Sequence, residues 1–194
     1  MTFLFATRNR HKVRELRRLL KGLPVRWITL DRFPEIPPVR EDGATFAANA
    51  VQKAVQTSRY TPLLVLAEDS GLEVKALGGR PGIRSARFAG KGQDDQANVA
   101  KLLRAMARVP PSRRQARFVC IMAAAAGGKL IRTFRGTCRG SIAFEKKGRG
   151  GFGYDPVFIP QAHHRTMAQL PASRKDSLSH RFKASAQFSR WISL

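Results

Sequence analysis

The stretch that decides the fold is residues 115–142, Gln-Ala-Arg-Phe-Val-Cys-Ile-Met-Ala-Ala-Ala-Ala-Gly-Gly-Lys-Leu-Ile-Arg-Thr-Phe-Arg-Gly-Thr-Cys-Arg-Gly-Ser-Ile. Two long strand-like runs, 115–126 and 129–142, flank the pair Gly127-Gly128. Adjacent glycines supply the positive φ values that a two-residue hairpin turn requires, so antiparallel pairing is expected here. The first half of the chain has a different rhythm. Residues 3–6 read as a short buried strand, followed by a helix over about 9–21 with Asn9 as its cap and Val13, Leu16, Leu19 and Leu20 on one face. A second strand is expected at 25–30, a proline-marked loop after it, and a helix from about 44 to 57. Residues 63–67 form a further buried strand that ends at Glu68-Asp69-Ser70-Gly71, with a separate short strand at 72–77. Helical spacing returns at 94–109 and 176–192. Strand–helix alternation followed by a hairpin predicts one α/β domain over residues 1–194, with a mixed central sheet, flanking helices and two lobes whose cleft is the natural site.

Composition narrows the class. With 43% hydrophobic residues and no apolar run of membrane-spanning length, a globular protein without a membrane role is expected. Residues 1–6 lack the pattern of a secretory leader, which points to the cytoplasm. Against 36 Lys+Arg stand only 13 Asp+Glu, a net charge of +23 that calls for a polyanionic partner. Nucleic acid, an anionic surface and a polyphosphate substrate all answer that description, and charge does not choose among them. Cys120 and Cys138 share no zinc-ligand spacing with the four histidines and are read as buried thiols.

Three stretches carry chemistry. Residues 148–156, Gly-Arg-Gly-Gly-Phe-Gly-Tyr-Asp-Pro, combine close-approach glycines with Phe152 and Tyr154 for stacking and Asp155 to fix a donor edge, equipment for a flat ligand. The spacing also fits a dinucleotide fingerprint, but Pro156 forbids the helix that such a motif must open. The dipeptide Glu-Asp occurs at 41–42 and again at 68–69. Paired carboxylates suit Mg²⁺ and the deprotonation of water, while Asp42 also fits a helix cap. Finally Thr7-Arg8-Asn9-Arg10-His11-Lys12 opens a helix with hydroxyl, amide and cationic groups, which suits a phosphate at the positive helix end.

Taken together, these motifs resemble the Ham1-like inosine triphosphate pyrophosphatases, the bacterial dITP/XTP pyrophosphatases of the RdgB type. The likeness runs from Thr7-x-Asn9-x-x-Lys12 through Glu41-Asp42-Gly43, Asn49, Lys53, Glu68-Asp69-Ser70-Gly71, Gly78-Gly79-x-Pro81-Gly82, Ser85-Ala86-Arg87 and residues 151–156 to Ser179-His180-Arg181. It implies an elongated two-lobed fold, usually a homodimer, that hydrolyses ITP, dITP or XTP to the monophosphate and pyrophosphate with Mg²⁺. Residues 7–12 would then hold the triphosphate, Asp69 would accept the proton and bind metal, and Ser70 would contact substrate. Glu41 would be the second metal ligand, with Glu68 a further candidate. Phe152, Gly153, Tyr154, Asp155, Lys175, His180 and Arg181 would surround the nucleotide, chiefly its base. Gln169, Asp176 and Arg84 depart from the usual pattern of the family. Two rivals remain: a nucleic-acid-binding protein, whose binding is otherwise expected to be weak and non-specific, and a phosphatase that releases inorganic phosphate.

Overall fold

The computed structural model describes residues 1–90, 92 and 94–194. Six strands form one sheet in the order β2-β1-β3-β4-β5-β6: β1 Thr2–Phe5, β2 Arg26–Thr29, β3 Leu64–Val74, β4 Gln115–Ala126, β5 Lys129–Ile142 and β6 Phe158–Pro160. The helices are α1 Arg10–Leu19, α2 Phe46–Thr57, α3 Asp95–Ala105, α4 Ala172–Leu178 and α5 His180–Ile192. β1 pairs in parallel with both β2 and β3, whereas β6 is antiparallel to β5. The mixed sheet expected from the sequence is therefore present. β4 and β5 are sheet neighbours joined by Gly127 and Gly128, at φ +52° and +77°, a connection too short for anything but a hairpin. No helix among the described residues is long and apolar enough to cross a membrane.

The chain divides into two compact units. The first comprises Met1–Asp69, Cys120–Gly136 and Arg181–Leu194; the second comprises Ser70–Val119 and Thr137–His180. Each has its own apolar core. In the first, Trp27 stacks on Phe5 with ring centroids 4.2 Å apart, and Phe188 meets Phe3 and Phe134 edge-on. Leu16 and Leu20 of the α1 stripe close this core, as their helical spacing requires. In the second, Leu102 and Met106 at the end of α3 pack with Phe118, Phe158 and Val157. There the guanidinium of Arg114, only 2% exposed, donates to the carbonyls of Met106, Val109, Ile142 and Ala143. Cys120 and Cys138 are buried thiols, as expected.

Three local expectations are corrected. The strand expected to stop before Glu68 continues to Val74, so that Glu68-Asp69 lies inside β3 and the separate strand at 72–77 does not exist. The carboxylates tolerate that position because cations from other elements neutralise them. The long C-terminal helix is two helices, broken at Ser179, whose backbone is extended with ψ +151°. Asp42 is not a helix cap: Thr45 accepts the Ala48 N–H at the start of α2, and Asp42 accepts from Gln52 instead.

Candidate active site

In the first unit, β3 delivers Asp69 and Glu68 into the path of α1 and α2. Helix α1 begins where the sequence expects, with the Asn9 side chain accepting from the His11 and Lys12 N–H groups. The Asn9 N–H in turn donates to the Thr7 hydroxyl, so residues 7–12 form a capped turn with Lys12 at its inner side. Lys12 Nζ lies 3.2 Å from Glu68 Oε1. Arg181 clamps the same carboxylate, Nε to Oε2 and Nη2 to Oε1 at 2.7 Å each, and its Nη1 donates to Glu15 of α1. Arg181 and Glu68 are each 2% exposed, and their mutual attraction with Glu15 drives the guanidinium well above its ordinary range despite the opposing cost of burial.

Asp69 has a different neighbourhood. Its Oδ2 accepts from Asn49 at 3.0 Å, and the Asn49 carbonyl oxygen accepts the Gly43 N–H at 2.8 Å. Gly43 is needed at this approach, since a Cβ there would lie 2.7 Å from Asn49 Oδ1. One helical turn along α2, Lys53 Nζ stands 3.2 Å from Glu41 Oε1 and 4.0 Å from Asp69 Oδ1, and donates to the Glu68 carbonyl at 2.7 Å. Burial raises the Asp69 carboxyl above its usual range, with Glu41 adding to it, while Lys53, Lys12 and the Asn49 bond pull the other way.

Among the described residues no three metal-ligating side chains gather at one point, and the pair to weigh for a metal is Glu41 and Asp69. Glu41 and Asp69 direct two hard oxygen donors at a single cationic point, the Lys53 ammonium. Mg²⁺ commonly takes one or two protein carboxylates and completes its shell with water and substrate phosphates, so two suffice. Glu68, the third candidate, has both oxygens engaged by Arg181 and Lys12.

In the second unit, residues 148–156 form a loop fastened from several sides. Asp155 Oδ2 accepts the Phe152 N–H at 2.9 Å and lies 2.7 Å from Lys175 Nζ on α4. The same ammonium stands 5.2 Å from the centre of the Phe152 ring. Gly153 N–H donates to Asp95 at 2.7 Å, and the Tyr154 hydroxyl donates to the Ser85 carbonyl at 2.9 Å. Gly151, at φ +74°, admits no side chain, because a Cβ would come within 2.0 Å of Asp155 Oδ2. Tyr154 is 4% exposed and so belongs to the core, not to a stacking face; burial and then Asp95 push its phenol upward. Asp155, expected at a ligand's donor edge, is 5% exposed and braces the loop. His180 stacks on Phe118 at 4.8 Å, and Ser70 lies on β3.

Two participants escaped the sequence-based selection of site residues: Asn49 and Lys53. Their signal was present, since an amide and an ammonium four residues apart share the face of α2 that also carries Ala50 and Ala54. Glu15 also escaped selection, three residues beyond Lys12 on α1.

Comparison with known proteins identifies the family. The family model described as Ham1 family matches residues 3–191. The dITP/XTP pyrophosphatase of Desulforamulus reducens is 48% identical over 184 residues, covering 95% of this chain and 92% of its own. That of Oceanobacillus iheyensis is 43% identical, covering 97% and 96% respectively. Among solved structures, the HAM1 protein from Coxiella burnetii superposes with a TM-score of 0.91 at 36% identity, covering 100% of this chain and 98% of that one. A nucleoside-triphosphatase / dITP/XTP pyrophosphatase from Mycobacterium abscessus gives a TM-score of 0.80 at 42% identity, covering 97% and 98%.

Proposed function

The chain belongs to the Ham1 family, and from that premise we propose that it hydrolyses deaminated purine nucleoside triphosphates, ITP, dITP and XTP, to the monophosphate and pyrophosphate. The observation that carries the reading is the placement of Asp69: a buried carboxylate, raised by desolvation and oriented by Asn49, beside a second carboxylate and two lysines. Such a group can take a proton from water while the neighbouring cations offset charge on phosphate.

The atoms balance simply. Water attacks the α-phosphorus, the bond between that phosphorus and the bridging oxygen breaks, and pyrophosphate leaves with the oxygen. Asp69 accepts the proton of the attacking water. Thr7, Arg8, Asn9, Arg10, His11 and Lys12 take the triphosphate through N–H groups and positive charge at the start of α1. Glu41 and Asp69 would hold Mg²⁺, which when bound supplies positive charge to the phosphate oxygens. Ser70 contacts the substrate, and Phe152, Gly153 and His180 form the base side, with the Phe152 ring as the stacking face and the Asp155–Lys175 pair bracing the loop behind it. The 6-oxo group accepts from Arg181, whose orientation is set by Glu68 and Glu15, or from a backbone N–H. A 6-amino group there would oppose donor to donor and leave a buried donor unpaired, at about 1–3 kcal/mol. A cytoplasmic homodimer is part of this reading and rests on the family likeness.

Product analysis with ITP and a divalent cation tests it. IMP and pyrophosphate are expected, with kcat/KM on ITP or XTP at least about 100-fold above ATP, the upper end for one mispaired buried donor. Inorganic phosphate as the product, or equal rates on ATP and ITP, overturns it.

A further inference from the structure

Hydrolysis of a small nucleotide leaves most of the +23 charge unused, and the first unit shows where much of it gathers. Beyond the turn assigned to the triphosphate, Arg14, Arg17 and Arg18 of α1 are exposed, as is Lys21 just past its end. At 100° per residue these four fall within about 100° of the helix circumference, about two cations for every turn of about 5.4 Å. The opposite face of α1, with Leu16 and Leu20, is buried in the core. The ridge is therefore all cationic and cannot turn an apolar face outward.

Beside it, at the edge of the sheet, β2 and the turn after it border a surface cavity of about 480 Å³. Arg17 joins Arg26 and Arg32 in its wall, together with the half-buried rings of Trp27 and Phe33. One carboxylate, Asp31, faces these three guanidiniums. It is held below its usual range by bonds from Thr29 and its own backbone and by the charges of Arg32 and Arg17.

We infer that the α1 ridge and the arginine-lined cavity on β2 form a binding surface for single-stranded nucleic acid, independent of the hydrolytic site. The ridge offers regularly spaced cations for a phosphate backbone, and the cavity adds guanidinium planes and aromatic edges beside which a base can lie. An anionic membrane is the weaker match, because the apolar residues of α1 are committed to the core and insertion needs them outside.

The test compares two quadruple variants with equal charge loss. Arg14→Gln, Arg17→Gln, Arg26→Gln and Arg32→Gln remove the surface. Arg104→Gln, Arg108→Gln, Arg113→Gln and Arg139→Gln remove four exposed arginines of the second unit. Binding of labelled single-stranded oligonucleotides is read by anisotropy across a salt series. If six cations, Arg14, Arg17, Arg18, Lys21, Arg26 and Arg32, each neutralise a phosphate, log K falls against log salt with a slope of about −4, roughly 300-fold between about 50 and 200 mM. The first variant should flatten that slope to about −1.4, since two contacts remain. The second should keep the wild-type slope, and both should keep kcat on ITP. Binding should also survive Asp69→Asn. Equal losses in the two variants would mean that net charge alone binds, and would overturn the inference. So would an unchanged slope in the first variant, or tighter binding to phosphatidylserine vesicles than to the oligonucleotide.

Discussion

Asp69 sits on a buried strand, held by a helix residue twenty positions earlier and surrounded by ion pairs; Phe152 sits in a loop, held by backbone hydrogen bonds and the underside of its own turn. In the first unit the functional groups are fixed by charge. Glu68, Arg181, Glu15, Lys12 and Lys53 compensate one another, so that removing any of them leaves a buried ion behind. In the second unit the Phe152 ring is fixed by shape, through Gly151, Gly153 and the brace of Asp155 and Lys175. On the proposed function the first unit carries proton transfer, the charge that meets phosphate and the Arg181 contact to the base, and the second carries the stacking ring of Phe152. Changes in the first should therefore appear in kcat and stability, and changes in the second in KM.

The largest effect is expected at Asp69. Asp69→Asn removes the proton acceptor and a proposed metal ligand, and single-turnover measurements should show a loss on the order of 10³ in rate with nucleotide affinity largely kept. Near wild-type turnover in a folded variant would end the assignment. Next comes Arg181→Ala, which takes the guanidinium away from Glu68 and Glu15, buried at 2% and 6% exposure. Denaturant unfolding should register a loss of about 3–5 kcal/mol, the usual result of breaking a buried pair on one side. The same variant should also narrow the preference for ITP over ATP.

Lys175→Ala probes the other side of the comparison. Asp155 loses its ammonium partner and the Phe152 ring loses its cation, so KM for ITP should rise about 10–100-fold, the equivalent of one charged hydrogen bond of about 1.5–3 kcal/mol. A drop confined to kcat would erase the proposed division. The smallest effect is one of sign. Because burial raises the Asp69 carboxyl, the folded state binds its proton more readily than the unfolded chain, and the ionised group opposes folding at neutral pH. Asp69→Asn should thus raise the melting temperature of the metal-free protein near neutrality. That gain should shrink as pH falls through the raised value, where Asp69 takes up its proton in the folded state.

The sequence revealed what local rules control. Gly127-Gly128 announced the hairpin, and Asn9 announced the start of α1. It concealed what distant partners decide. Glu68-Asp69 looked like the end of a strand because two adjacent carboxylates rarely lie inside one, and only Lys12, Lys53 and Arg181, far away in the chain, make that position tolerable. Tyr154 looked like a stacking face because its bond to the Ser85 carbonyl spans sixty-nine positions. The C-terminal helix looked continuous because apolar spacing persists across Ser179, where the backbone turns extended.

Two glycines of the 148–156 loop face different mutational futures. At Gly151 the first carbon of any side chain would collide with the carboxylate that braces the loop, so every substitution there breaks the device. At Gly153, with φ +60° and nothing within 4 Å of a Cβ, the only barrier is backbone conformation, which asparagine meets at modest cost. A library seeking altered base preference should hold position 151 constant and begin its search at 153, where the fold has left room for variation.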